Sequence, residues 1–365
     1  MQTERPLLEN GVRSLAVRVI VVGAGIMGTA SALELADAGC DVVLLERAVP
    51  GAEASSAAAG MLGAQLESHD DAEFDVFREA RDAYGAWAAE LTRRSGVDVG
   101  YRVSGAMRLA QSAAEAEKLE ATVRWHIRRC ARAELLSGGG ILGVEPSLSK
   151  SLVAAAHYPD EAQVEPTRLL RALAVAVARE PRIDVRSGVT VRGIQVEAGR
   201  ATGVLLEDGA LSADAVVLAA GSWSSLIGGV EGVVPEVRPS RGQLIELEER
   251  PASLRTILAG SSSYVVPRGD GRVVCGTTVE FVGFVREVTA GGVARILSDA
   301  IALVPSLEGA TLGAMWSSFR PFSTSGAPLV GMTSMPGLVL ATGHHRNGIL
   351  LAPSTALAVR AALAP

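Results

Sequence analysis

The sequence predicts an α/β fold in which a Rossmann-like domain, assembled from both ends of the chain, carries an inserted domain of antiparallel sheet. Three observations predict it. The apolar run Val19–Val22 is followed by Gly23, Gly25 and Gly28 at G-x-G-x-x-G spacing. A second apolar run, Val42–Leu45, ends at Glu46, about 20 residues beyond the glycines, where an acid accepts a ribose hydroxyl in dinucleotide sites. Residues 237–285 alternate in polarity and contain turn signals such as Gly269-Asp270-Gly271, the pattern of an antiparallel sheet.

Each element has its own local reason. Val19–Val22 is β-branched and reads as a buried strand. Gly23 permits the tight turn, Gly25 lets the backbone approach a pyrophosphate, and Gly28 lets the next helix pack closely. Ala32, Ala36 and Gly39 give that helix a small-residue side for the sheet. Phe74, Phe77, Ala80, Tyr84, Trp87 and Leu91 recur at helical spacing over 72–95, an aromatic stripe that reads as core. A strand near Tyr101, a helix over 113–136 and a turn at Gly138-Gly139-Gly140 follow. Pro166 opens a helix over 166–179, as its fixed φ favours. A strand over 184–191 bends at Gly188, hairpin-like strands surround Gly199 and Gly209, and Ala215–Trp223 is a buried strand ending in small residues. Strand 338–341, a glycine turn and a helix over 352–363 close the chain. The expected division is 1–90, 150–232 and 326–365 for the nucleotide domain, and 91–149 and 233–325 for the inserted substrate domain.

The bulk properties exclude several classes. The 365 residues are 48% hydrophobic and 20% charged, with a net charge of −6. That balance argues against a nucleic-acid partner. Met1–Val17 lacks the order of a signal peptide and reads as a short extension. No run of 18 or more apolar residues occurs, so no membrane span is expected. Cys40, Cys130 and Cys275 are far apart, and no C-x-x-C occurs. That spacing suits a reducing cytoplasm and no zinc site. No metal is expected. His344 and His345 are adjacent, so one imidazole is expected buried and the other facing a cleft.

A nicotinamide dehydrogenase would share the glycine motif, but three later features favour a flavin. Ala219-Ala220-Gly221 ends a strand with small residues and permits close approach. Gly343–Pro353 places a turn before a helix N-terminus, which can hold negative charge on a flavin ring. Ala54–Gly63 is a small-residue stretch able to run beneath a bulky cofactor.

These pieces, with Tyr158–Pro166, Arg241-Gly242-Gln243, Tyr264–Arg268 and Arg346–Pro353, resemble the glycine oxidase family. That family is the thiazole-biosynthesis branch of the D-amino-acid-oxidase-like flavoproteins. The resemblance covers the chain from Val17. It implies noncovalent FAD in a fold of D-amino-acid-oxidase/glutathione-reductase type. It implies oxidation of glycine to the imine, then glyoxylate and ammonia, with oxygen reduced to hydrogen peroxide. The imine can feed thiazole formation for thiamine. A cytoplasmic homo-oligomer is expected, with a small amino acid and oxygen as its small-molecule partners.

By the same resemblance Arg320 pairs with the substrate carboxylate, Tyr264 hydrogen-bonds it, and Arg346 is a second arginine at the cleft. A guanidinium fork suits a carboxylate, and a phenol adds a donor. The expected FAD contacts begin with Gly23, Gly25, Ile26, Met27 and Gly28 at the glycine turn, and Glu46 and Arg47 after the second strand. The small-residue stretch supplies Ser55, Ser56, Ala58, Ala59, Gly60, Met61 and Leu62. Val189, Ala220, Gly221 and Trp223 follow, and His345, Arg346, Asn347, Gly348, Ile349 and Leu350 close the set. The sequence departs from the family pattern at Ser317–Phe322, at His345 and at Glu280–Val285. The first two departures keep sarcosine or a small D-amino acid open as substrate; the third exchanges two charges for apolar side chains, the pattern of an interface patch. A flavin dehydrogenase and a non-catalytic flavin-binding protein are the other readings.

Overall fold

The computed structural model describes residues 17–363. The extension expected over Met1–Val17 lies, apart from Val17, outside them. A six-stranded sheet runs Leu329–Met332, Leu338–Thr342, Ala215–Leu218, Arg18–Val22 (β1), Asp41–Glu46 (β2) and Ile183–Ser187. All neighbours are parallel except the edge strand Leu329–Met332. β1 is buried on both faces, as a covered parallel strand must be. Val19 and Val21 join Val42 and Leu44 in a core with the helices. Ile20 and Val22 join Val43 and Leu45 in a second core with Ile194 and Val204, which belong to a three-stranded sheet lying across that face.

The helix Ile26–Asp37 (α1) follows β1 directly. A Cβ at Gly28 would overlap the carbonyl oxygen of Gly23, so helix and turn meet only through a glycine here. The helix Asp71–Ser95 is capped by the Asp70 carboxylate at one end and left-handed Gly96 at the other. Its stripe of Phe74, Phe77, Ala80, Tyr84 and Leu91 is buried.

The second layer is an eight-stranded sheet. In order it runs Thr311–Ser323, Val237–Glu248, Arg272–Gly276, Tyr264–Pro267, Ile257–Ala259, Ala106–Ala110, Ala154–Tyr158 and Glu134–Leu136. It is antiparallel except between Ile257–Ala259 and Ala106–Ala110. One face packs on the helix Ala290–Leu303 through Ile245, Val265, Cys275, Ile296 and Leu303. The other brings Leu244, Tyr264, Val266 and Val274 against Ala59 and Met61. The cleft lies on that side.

Local expectations shift in five places. The strand expected over Ala215–Trp223 stops at Leu218, and Gly221–Leu226 forms a short 3-10 helix instead. The helix expected over 113–136 ends at Arg128, and Glu134–Leu136 joins the sheet instead. The strand expected over 184–191 stops at Ser187, because Gly188 adopts φ +76°. Gly139 and Gly140 begin a short helix, Gly139–Val144, rather than only a turn. The last helix starts at Gly348, four residues earlier than expected, with Pro353 inside it.

Candidate active site

The glycine turn builds a cradle that a larger residue would fill. Gly23 has φ +100°, and a Cβ there would stand 2.6 Å from the carbonyl oxygen of Ala219. A Cβ at Gly25 would stand 3.3 Å from Ser55 Oγ. That hydroxyl accepts the Ile26 N–H at 3.1 Å. The first turn of α1 holds no acidic side chain, so its dipole is free to favour an anion. The Glu46 carboxylate accepts the N–H of Ala24 at 2.9 Å and of Ala48 at 3.0 Å. It is thereby fixed at the end of β2, beside the turn, with oxygen lone pairs to spare for ribose hydroxyls.

The small-residue stretch is tied from the second sheet. Arg268 donates to the carbonyls of Ala59 at 2.7 Å and Val164 at 3.1 Å, and Trp316 Nε1 donates to Ala57 O at 3.0 Å. A Cβ at Gly60, with φ +77°, would overlap the Val164 carbonyl. The result is a smooth floor of Ala57–Met61 along the cleft. Its lining runs from the glycine turn and Glu46 to Tyr264 and Arg320, an extended shape that suits a dinucleotide.

Most of the expected cofactor residues line this one cleft. They are Gly23, Gly25, Ile26 and Met27; Glu46 and Arg47; Ser55, Ala58, Ala59, Gly60 and Met61; Val189; Ala220, Gly221 and Trp223; and His345, Arg346, Asn347, Gly348 and Ile349. Gly28, Ser56, Leu62 and Leu350 do not line it. Gly28 is in the α1–turn contact, Ser56 Oγ donates to Glu53 O, and Leu62 and Leu350 are core.

Tyr264 and Arg320 meet at the end of the cleft away from the glycine turn. Arg320 comes from Thr311–Ser323, paired with Val237–Glu248. It donates to Thr277 Oγ1 at 2.6 Å and Thr278 O at 3.2 Å, and among the described residues it has no carboxylate partner within ion-pair distance. Burial lowers its pKa, offset in part by Tyr264. Tyr264 is 7% exposed. Burial raises its phenol, opposed by the charges of Arg320 and Arg346, so it stays a hydrogen-bond donor at neutral pH. Gly276 stands opposite Tyr264 in the sheet, and a Cβ there would meet the ring at 2.8 Å.

Arg346 behaves differently. It is paired with Glu67 at 3.1 Å, and its side chain is 40% exposed. Both residues also border a second cavity, lined by Arg108, Ser262 and Ser263. The two histidines differ in burial, although both border the cleft. His344 is 3% exposed, with Nε2 2.9 Å from Thr355 Oγ1. His345 adopts φ +47°, lines the cleft and stacks edge-on to Phe322 at 5.2 Å. Burial, then the charges of Arg320 and Arg346, bring its pKa down to about 4, so it is neutral. Gly242, Thr277, Glu67 and Arg268 escaped the sequence reading. Only Gly242 and Arg268 had a signal, inside Arg241-Gly242-Gln243 and Tyr264–Arg268.

A glycine cradle, a positioned acid, a glycine-led helix end and an arginine without an ion-pair partner among the described residues, all in one cleft, define an FAD-dependent oxidoreductase. Residues 18–362 match the DAO family, described as FAD dependent oxidoreductase, and the chain belongs to it. The chain is 35% identical to a glycine oxidase of Geobacillus kaustophilus over 93% of its length and 91% of that protein. It is 32% identical to the bifunctional protein ThiO/ThiG of a Nostoc strain over 93% of its length. It spans about half of that longer protein, 51%. The crystal structure of the Geobacillus kaustophilus glycine oxidase superposes with a TM-score of 0.89 at 34% identity, covering 95% of each chain. An iminodiacetate oxidase from Chelativorans gives 0.86 at 28% identity, covering 95% of each chain.

Proposed function

We propose that this chain oxidises glycine, or a similar small amino acid, to the imine. Water then yields the 2-oxo acid, glyoxylate for glycine, and ammonia. The amine loses two electrons and two protons, and oxygen takes them up as hydrogen peroxide. Bound FAD supplies the two-electron acceptor that links these halves. Arg320 carries the reading: a guanidinium without a carboxylate partner among the described residues, aimed into the cofactor cleft beside a protonated phenol. In this role Arg320 holds the substrate carboxylate in a bidentate pair and Tyr264 donates to the same group. The neutral His345 lines the cleft and is backed by the ring of Phe322. No side chain is assigned as general base, because a neutral amine needs none. A panel of small amino acids with peroxide detection tests the reading. Turnover of glycine that is lost in Arg320→Ala supports it, and no peroxide from any amino acid removes it.

The noncovalent FAD site assigned here takes the cleft residues from Gly23 to Ile349 described above. The division into an FAD domain of 1–90, 150–232 and 326–365 and a substrate domain of 91–149 and 233–325 belongs to the same proposal, with strand Ala154–Tyr158 contributed to the substrate sheet. A cytoplasmic place, a homo-oligomeric state and supply of thiazole for thiamine complete it. The ThiO naming of relatives supports the last. A second reading, sarcosine or a small D-amino acid, rests on the departures from the family pattern at Ser317–Phe322 and at His345, which lines the cleft. The same panel separates the two.

A further inference from the structure

Residues 280–289 leave the second sheet and run, without forming a strand of their own, to residues that line the cleft. Phe281, Val282, Phe284 and Val285 are 40–58% exposed there, an unusual load of apolar surface for a loop. The segment is nevertheless held from both sides. From its own domain, Arg241 pairs with Glu280 at 2.9 Å and donates to the carbonyls of Val285 and Glu287 at 3.2 and 3.0 Å. Ser317 donates to the Arg286 carbonyl. From the nucleotide side, Trp223 stacks on Phe284 with centroids 4.9 Å apart and planes 25° apart. The Arg47 guanidinium lies 3.9 Å from the Trp223 ring. Arg286 pairs with Glu53, and Glu53 pairs with Arg47 at 2.9 Å.

Arg47, Glu53 and Trp223 line the cofactor cleft, whereas Phe284 and Arg286 do not. The outer residues therefore hold the inner ones without facing the cleft. Arg47 directly follows Glu46, so the contacts fall on the nucleotide half. We propose that residues 280–289 form an interdomain strap that retains FAD, fastened by the Phe284–Trp223 stack and the Arg286–Glu53–Arg47 ion-pair chain. Release of the cofactor requires both fastenings to part. Phe284 and Arg286 are retention residues, not catalytic ones. The inference depends on the FAD family and not on which amine is oxidised.

The test is the rate at which the holoenzyme releases FAD on dilution, followed by the rise in flavin fluorescence. An aromatic pair and a partly exposed ion pair each contribute modestly, so Phe284→Ala and Arg286→Ala should each speed release by about three- to tenfold. Arg286→Lys should restore most of the native rate. Salt screens exposed pairs, so release from the unaltered protein should accelerate with ionic strength, and Arg286→Ala, which keeps only the Glu53–Arg47 pair, should show a weaker dependence. Turnover at saturating FAD should not change. The salt dependence of the unaltered protein reads the ion-pair chain even if a variant folds poorly. Native release rates in both alanine variants, or salt-independent release from the unaltered protein, would overturn the strap.

Discussion

The Arg320 guanidinium rests against Gly242: a Cβ at position 242 would overlap its Cζ and both terminal nitrogens. The two residues lie on paired strands, with Ser240 opposite Arg320 and Gly242 opposite Ser318. The arginine is thus directed by a missing side chain as much as by its bonds to Thr277 and Thr278. Gly242→Ala must push the fork aside or shift a strand. Small misplacements of a substrate clamp are costly, so kcat/KM should fall by about tenfold or more while FAD content stays native. Steady-state kinetics alongside the flavin absorbance checks this, and unchanged kinetics would separate the clamp from its glycine floor.

Arg320→Ala removes the clamp itself. Two charge-assisted hydrogen bonds at roughly 1.5–3 kcal/mol each make a loss of about 3–5 kcal/mol. At about 1.4 kcal/mol per decade, kcat/KM should fall roughly a hundred- to several-thousand-fold. Arg320→Lys should recover only part, because an ammonium lacks the planar fork. Near-native turnover of every amino acid in Arg320→Ala would show that the carboxylate is held elsewhere.

Glu46→Ala addresses the other end of the cleft. The variant loses the expected ribose acceptor and also the bonds that fix Ala24 and Ala48. The dissociation constant for FAD should rise by about tenfold or more, on ~1.5–3 kcal/mol for a hydrogen bond to a charged group. KM for the amine at saturating FAD should stay constant. Equilibrium titration of FAD into the stripped protein measures it, and native affinity would remove Glu46 from the site.

Much of this architecture was legible because it is local. The Val19–Glu46 unit contains its strand, turn, helix and acid within one stretch, and the glycines specify the turn on their own. Gly348 and the small residues 57–60 were legible as a cofactor surface for the same reason. What escaped is set by distant partners. Nothing near Glu67 in the chain announces Arg346, 279 residues away. The halt of the helix at Arg128 was invisible because Glu134–Leu136 is drawn into a sheet edge by His157, Ala156 and Ala155. Gly188 read as a bend within a strand, but its left-handed φ ends the strand outright.

Acid should destabilise the fold through two buried imidazoles. Burial lowers the pKa of His126 to about 4 and of His344 to about 3, from an ordinary 6.5. The unfolded chain therefore binds protons that the folded chain refuses below 6.5. Their contribution is intact above pH 6.5 and is lost progressively as pH falls toward 4. His126 packs among Phe74, Trp125 and Tyr158, and neither ring nitrogen has a hydrogen-bond partner. His126→Phe should therefore stabilise the protein by about 1–3 kcal/mol, the cost of a buried unpaired polar group. The gain should be larger at pH 5 than at pH 8. A Tm that falls as steeply with acid as in the native protein would exclude His126 as a source.

The two arginines of the cleft should not be equivalent. Arg320 is desolvated and has no carboxylate within ion-pair distance among the described residues, so a substrate carboxylate meets a charge that no side chain pairs with directly. Arg346 is 40% exposed and already paired with Glu67 at 3.1 Å, so a substrate must compete for it in a wetter setting. Exposed pairs contribute about 0.2–1 kcal/mol, and the loss on Arg346→Ala should stay under about tenfold in kcat/KM, carried mainly by KM. Glu67→Gln should act in the opposite direction. It frees Arg346 for the carboxylate, so KM should fall by about two- to fivefold with kcat unchanged, on the same ~0.5–1 kcal/mol. Together the variants give an order: Arg320→Ala far below native, Arg346→Ala slightly below, Glu67→Gln slightly above. If Arg346→Ala proves as damaging as Arg320→Ala, Arg346 must leave Glu67 and join the clamp during turnover. If Glu67→Gln raises KM instead, the pair serves to hold the turn before the last helix, and its charge is not in competition with substrate.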